Sequence, residues 1–167
     1  GMAARAVIGQ RTFTAQQPVS DDAVIGAASG IAFANGMLVV VDDNRVSALP
    51  RNNRILIYRN IRGVLPEPTQ ELPISEIRCQ VCVGKADLVL GQTDFVKHDV
   101  NLSQSGMQHP TAVATDGRMI AVADTDNNRV LIWRSIPTVN NQPADLVLGQ
   151  PDFTTGKANE GGQLPTQ

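Results

Sequence analysis

The segments that decide the fold read ADLVLGQTDF at residues 86–95 and ADLVLGQPDF at residues 144–153. They differ only at Thr93 and Pro151, and a weaker copy, AVIGQRTF, occupies residues 6–13. Agreement of this length between two parts of one chain is the mark of an internal repeat. The chain therefore consists of repeated structural units, and the Gly-Gln dipeptide marks the end of each unit.

Between these segments, other phrases also recur in a fixed order. The matched pairs are IAFANG with TAVATDG, LVVVD with IAVAD, and NNRILIY with NNRVLIW, at residues 31–36 and 111–117, 38–42 and 120–124, 52–58 and 127–133. Each phrase, like the LVL before Gly-Gln, is a short apolar run typical of a β-strand. Asn35-Gly36 and Asp116-Gly117 indicate hairpin turns whose two central residues have positive φ. The unit is predicted to be a four-stranded antiparallel meander, the arrangement of one propeller blade.

The first unit is longer than the second. Comparison of equivalent positions predicts an insertion around residues 46–51 and a larger one between residues 63 and 84. The predicted organisation is a starting segment at 1–5, two blades with a spare outer strand over 6–153, and a tail at 154–167 that resembles the start of a third blade.

A family resemblance follows from the phrase VADTDNNRV at residues 122–130. It resembles the signature of NHL repeats, an apolar strand followed by Asp, Asn and Arg and then another apolar strand; Asp42 with Asn53-Arg54-Ile55 resembles an interrupted second copy. The resemblance extends from Ala6 to Phe153, and the Gly-Gln-Pro-Asp-Phe phrase at residues 149–153 looks like those of bacterial tandem NHL-repeat proteins. It implies an all-β fold, a partial β-propeller of the NHL or six-bladed type, and it leaves the function open because such propellers serve many roles.

The acidic residues between the second and third runs of each unit are the candidate site residues. Asp42, Asp43, Asp124 and Asp126 could line a channel and hold a metal ion in an assembled ring. The other interpretation is structural: turn carboxylates that bond the backbone or pair with arginine, as Asp124 with Arg129 and Asp42 with Arg54. Position six of the calcium-loop pattern is Arg129 where Gly is required, which favours the structural interpretation.

Cys79 and Cys82 form a C-x-x-C within the larger insertion. A redox pair would begin a helix in a βαβ unit, and a zinc site needs about four ligands, so a local disulfide or two thiols is favoured. A disulfide would imply export, and we predict an exported or cell-surface bacterial protein, although these residues show no signal peptide.

Repeat equivalence predicts packing roles for the aromatic residues. Tyr58 and Trp133 occupy matching positions, and Phe13, Phe95 and Phe153 each follow a Gly-Gln and are expected to wedge between blades. Five arginines between residues 45 and 62 could form an RNA-binding face, but Tyr58 is the only aromatic ring near them that could stack on a base. No catalytic group and no cofactor are predicted.

Composition and repeat number bound the function. The 167 residues carry a net charge of −2 and no apolar run long enough to cross a bilayer, so bulk composition suggests neither a nucleic-acid nor a membrane partner. Two blades leave apolar faces uncovered, which predicts a homo-oligomer, a trimer above all, or further blades of a longer chain. The predicted function is a non-catalytic scaffold for protein or ligand binding. The alternatives are a metal-dependent lyase or lactonase acting in an assembled channel, and an RNA-binding propeller.

Overall fold

The computed structural model describes residues 4–17, 19–43, 49–70 and 82–162. In these ranges the fold is all-β, and its main elements are two four-stranded antiparallel sheets. Helical structure within them is limited to short 3₁₀ turns at Ile61–Gly63, Thr125–Asn127 and Ala158–Gly161. None of the helices in the described ranges is long and apolar enough to span a membrane.

The strands follow the repeat units closely. In chain order they are β1 (Val7–Ile8), β2 (Ala28–Ala34), β3 (Met37–Asp42), β4 (Arg54–Tyr58), β5 (Cys82–Val83), β6 (Leu88–Leu90), β7 (Pro110–Thr115), β8 (Ile120–Asp124), β9 (Arg129–Trp133) and β10 (Leu146–Leu148). The first sheet has the order β2-β3-β4-β6 and the second the order β7-β8-β9-β10. The predicted meander of four runs per unit is confirmed.

The turn between the first and second strands differs between the two sheets. Asn35 and Gly36 both have positive φ, 52° and 78°, as predicted for a two-residue turn. In the second sheet Gly117 has positive φ and Asp116 does not, so the prediction is wrong for Asp116. The Asp116 carboxylate instead accepts bonds from the backbone N–H groups of Arg118 and Met119, at 2.8 and 2.9 Å, and closes a longer turn. These donors hold the pKa of Asp116 below its ordinary value.

Each sheet has two apolar faces, because side chains alternate along every strand. We call the face that carries the aromatic residue of the unit the front face and the opposite face the back face. On the first sheet the front face carries Leu38, Val40, Leu56, Tyr58 and Val89, and the back face carries Val39, Val41, Ile55, Ile57, Leu88 and Leu90. On the second sheet the front face carries Ile120, Val122, Leu131, Trp133 and Val147.

The main core lies between the back face of the first sheet and the front face of the second. Trp133 is fully buried there and donates its indole N–H to the Gln142 carbonyl at 2.9 Å. Tyr58, its equivalent, is buried on the front face of the first sheet, where burial raises the pKa of the phenol. The predicted packing role of both aromatic residues is confirmed.

The front face of the first sheet is covered mainly by the N-terminal segment. Ile8 and Ile25 pack against it, and Ile61 and Ala86 complete this smaller core. Ile8 lies on β1, the predicted spare strand, which pairs in parallel with β5 of the same chain through Val7–Cys82 and Ile8–Val83.

The three phenylalanines after Gly-Gln have different surroundings. Phe95 packs against the smaller core and Phe153 against the main core, whereas Phe13 is 44% exposed. By repeat equivalence, Phe13 would pack on the sheet before the first one. The described residues contain no such sheet, so Phe13 remains exposed at the end of the stack.

The stacking of the two sheets generates a first prediction. Truncating Leu131, which is fully buried between the sheets, to Ala should lower the free energy of unfolding by about 2–5 kcal/mol, since a cavity remains. Leu49→Ala is the matched control, because Leu49 is 81% exposed and lies on neither sheet. Urea denaturation measures both variants. Similar losses in the two would contradict the placement of the core.

Candidate functional site

Two of the four predicted site carboxylates form buried ion pairs. Arg54 contacts Asp42 at 2.7 Å, and Arg129 contacts Asp124 at 2.7 Å, with all four side chains fully buried. The predicted pairing of each aspartate with the arginine of its own unit is confirmed. Both pairs lie where the second and third strands of a sheet are joined, so each ties that connection to the sheet.

The remaining oxygen positions of both aspartates are also occupied. Asp42 accepts the backbone N–H groups of Gly26 and Ala27, at 2.8 and 3.0 Å, and the Asn52 amide at 3.0 Å. Asp124 accepts the Gln108 N–H at 2.7 Å and the Asn127 amide at 2.9 Å. A buried carboxylate needs these partners to offset its lost hydration. Both are therefore engaged in holding the loops.

Each arginine extends the network to the loops that precede and follow its own sheet. Arg54 donates to the carbonyls of Val24 and Phe95, and Arg129 donates to those of Ser103, Gly106 and Phe153. The guanidinium group suits this role because it offers five N–H donors in a fixed plane. One side chain thus joins a sheet to the loops on both sides of it.

The Gly-Gln dipeptides build the same loop in every unit. Gly9, Gly91 and Gly149 have positive φ, and a Cβ on Gly91 would lie 2.7 Å from the Asn53 carbonyl oxygen. The following glutamine amide then donates to a carbonyl seven residues later, in the pairs Gln10–Gln17, Gln92–Asp99 and Gln150–Lys157. In the sequence the glutamine is marked only by its recurrence after each glycine. The structure shows its role, which is a hydrogen bond across the loop.

Asp43 and His109 come together where the loops of the two sheets meet. The Asp43 carboxylate is fully buried and bonds Nδ1 of His109 through one oxygen and the Asn53 N–H, at 3.2 Å, through the other. His109 in turn donates its backbone N–H to the Asn53 side chain at 2.9 Å. Asp43 follows β3 and His109 precedes β7, so this contact joins the first sheet to the second.

The fourth predicted carboxylate, Asp126, lies at the surface beside this contact. It faces Arg51 at 3.9 Å, with about a third of each side chain exposed. The Arg51 carbonyl accepts the Asn53 side-chain amide at 3.2 Å, which links the two groups. We call Asp43, Arg51, Asn53, His109 and Asp126 the loop cluster. Sequence reasoning missed His109 because its spacing from the carboxylates is long and only folding brings it close.

The loop cluster has limited chemical capacity. A carboxylate that holds Nδ1 orients the imidazole and leaves Nε2 for proton transfer or for a metal ion. The imidazole is 23% exposed. Among the described residues no three His, Cys, Asp or Glu side chains are grouped so that they could hold a metal.

An open cleft of about 460 Å³ lies next to the loop cluster. Its walls are mainly apolar and include the cationic Arg51 and the imidazole of His98. The lining residues are Leu49, Pro50, Arg51, Asn53, His98 and Val100. Such a lining suits a small apolar group that carries a negative charge.

The predicted cysteine pair is only half described. Cys82 lies on β5 and pairs with Val7 of β1. Cys79 lies outside the described residues. The possible disulfide between them therefore stays a prediction.

The ion pairs generate a second prediction. Arg129→Met should lower the free energy of unfolding by about 3–5 kcal/mol, because it leaves the buried Asp124 charge without its partner. Arg51→Met is the matched control; its longer, partly exposed pair with Asp126 should contribute about 0–1 kcal/mol. Thermal or urea unfolding measures the difference. Equal effects would contradict the assigned role of the buried pair.

A third prediction concerns the Asp43–His109 contact. Asp43→Asn and His109→Gln should each destabilise the fold, and the double variant should show a coupling of about 0.5–3 kcal/mol, because the two side chains contact each other. His98→Gln is the control, since His98 is exposed and its imidazole hydrogen-bonds Val96 of its own loop. Denaturant unfolding of the four proteins measures the coupling. Additive effects would show that the contact contributes nothing to joining the sheets.

Neither protein-family models nor curated protein sequences match this chain.

Proposed function

We propose that this chain forms two blades of an NHL-type β-propeller and acts as a non-catalytic scaffold that binds protein or ligand. Support comes from the way the sheets stack. Both have the same strand order, and the front face of one covers the back face of the other. Repeated stacking of this kind, continued around an axis, produces a propeller.

The single observation that carries the binding role is an uncovered sheet face. The back face of the second sheet is formed by Ala112, Ala114, Ala121, Ala123, Val130, Ile132, Leu146 and Leu148. Its counterpart on the first sheet is buried under the second sheet, but here the outer residues remain open, with Leu148 53% exposed. A contiguous apolar face of this kind indicates a surface for another protein.

The state of the carboxylates also favours binding over catalysis. Asp42 and Asp124 have arginine and loop donors at every oxygen, so neither offers a free position to a substrate or a metal. Arg54 is equally engaged, which weakens the RNA-binding alternative because it removes one of the five arginines from the proposed basic face. We also propose an exported or cell-surface location, which rests on the cysteine pair in the insertion.

A metal-dependent enzyme is the second candidate, because of the loop cluster. Asp43 and His109 come from different sheets and are in contact. In a closed ring, loops at this end of further blades would supply more ligands around a common axis. The His109 imidazole, which Asp43 holds through Nδ1, would offer its Nε2 atom as one ligand of such a centre.

Metal analysis of the purified protein separates the two candidates. For a scaffold we expect no stoichiometric zinc or calcium after dialysis, neither one ion per chain nor one ion per ring, and no retention of RNA at physiological salt. A stoichiometric ion, one per chain or one per ring, that is lost in His109→Gln and kept in His98→Gln would overturn the proposal in favour of the enzyme. RNA retention that falls with increasing salt would support the third alternative.

A further inference from the structure

Two apolar surfaces are exposed at opposite ends of the stack. One is the back face of the second sheet. The other lies on the front side of β2, where Ile31 and Phe33 are 67% and 51% exposed. We call Ile31 and Phe33 the β2 ridge. The N-terminal segment covers the front face of the first sheet over the other strands but leaves this ridge open.

The contact between the two sheets shows what such surfaces bind. Within the chain, β7 of the second sheet lies against the back of β2 in the first. The strands approach closely there, since a Cβ on Gly30 would lie 3.2 Å from the Cα of Ala112 and from the carbonyl oxygen of Thr111. The small residues Gly30 and Ala32 on the back of β2 thus allow β7 to come close, and Val113 on the front of β7 packs against the main core.

The exposed surfaces occupy the same positions as this internal contact. Ile31 and Val113 both pair with the central valine of their second strands, Val40 and Val122, so they are equivalent. By the same registers Phe33 is equivalent to Thr115, and Gly30 and Ala32 to Ala112 and Ala114. The β2 ridge is therefore a front surface without a partner, and Ala112 and Ala114 belong to a back surface without one.

We propose that these two surfaces bind each other between copies of the chain, so that the back face of one second sheet docks head to tail on the β2 ridge of the next copy. The proposal rests on the proposed propeller function, since it repeats the blade-to-blade contact already present within the chain. A heterologous contact of this kind closes into a ring when its rotation allows. For six blades the ring contains three copies.

The size of the side chains on the back face supports a fan-like arrangement. From the inner to the outer strand the residues change from Ala on β7 and β8 to Val130 and Ile132 on β9 and Leu146 and Leu148 on β10. The first sheet shows the same gradient, from Gly30 and Ala32 to Leu88 and Leu90. Small inner and large outer residues fill a gap that widens outward, as between blades around an axis.

The β1 strand is expected to weaken this association. Ile8 covers the first sheet where the outer strand of a preceding sheet would lie, as Leu90 of β6 does for the second sheet. In the ring, β10 of the docking copy and β1 of the receiving copy compete for one place. The pairing of β1 with β5 involves only two residues on each strand, so β1 is the strand expected to give way. Its displacement opposes docking, and the oligomer is therefore expected to depend on protein concentration.

Two charged substitutions test the two surfaces separately. Ala114→Arg places a charge on the back face, and Phe33→Asp places one on the β2 ridge; both sites are exposed, so the fold should persist, which circular dichroism checks. Val139→Asp is the control, at a residue 59% exposed that belongs to neither surface. Light scattering on a sizing column, at increasing protein concentration, gives the mass.

We expect the native chain and Val139→Asp to approach three times the chain mass, and each surface variant alone to remain at the single-chain mass. An equimolar mixture of the two variants should reach about twice the chain mass and no more, because the intact back face of one binds the intact ridge of the other and the two damaged surfaces cannot extend the contact. A native protein that stays monomeric at every concentration would overturn the docking, while the scaffold proposal would still be judged by its metal and RNA tests. Loss of association in Ala114→Arg but not in Phe33→Asp would also overturn it, since a symmetric contact through the back face alone would then explain the data.

Discussion

The buried pairing of aspartate with arginine is the interaction on which each sheet depends. Removing two charges from water is costly, and the protein offsets that cost by giving every oxygen and most N–H groups of the pair a partner. Most of those partners are backbone groups of the neighbouring loops, and the others are the side-chain amides of Asn52 and Asn127. The pair therefore fixes the loops as well as the strands, and it makes the two repeat units alike although their insertions differ.

The second constraint is that both faces of each sheet are apolar. A sheet with two apolar faces needs cover on both sides, and among the residues that the structure describes only the first sheet has most of it. The second sheet covers the back of the first, and the N-terminal segment covers most of its front. What remains uncovered is one surface at each end of the stack. The proposals of a binding scaffold and of head-to-tail association both follow from this unequal coverage.

The four aspartates of the candidate site have different roles. The same type of carboxylate serves two purposes: Asp42 and Asp124 hold the fold, whereas Asp43 holds an imidazole near a cleft and Asp126 faces solvent. The four carboxylates lie within one or two residues of each other in each unit, so the sequence alone does not separate the two roles. Asp42 and Asp124 are the last residues of β3 and β8, whereas Asp43 and Asp126 lie in the segments that lead to β4 and β9.

The sequence by itself determined the strand order, the repeat unit and the Asp–Arg pairs, because these depend on local alternation and on positions that recur in each unit. It also indicated the buried roles of Tyr58 and Trp133 for the same reason. Only the tertiary structure decided that His109 meets Asp43, that β1 pairs with β5, and that Phe13 stays exposed. These features join residues far apart in the chain and occur once, so no repeat could reveal them. The turn at Asp116 differs from these features because it is local: the carboxylate accepts from the N–H groups two and three residues later, and the repeat predicted the turn of Asn35 there instead.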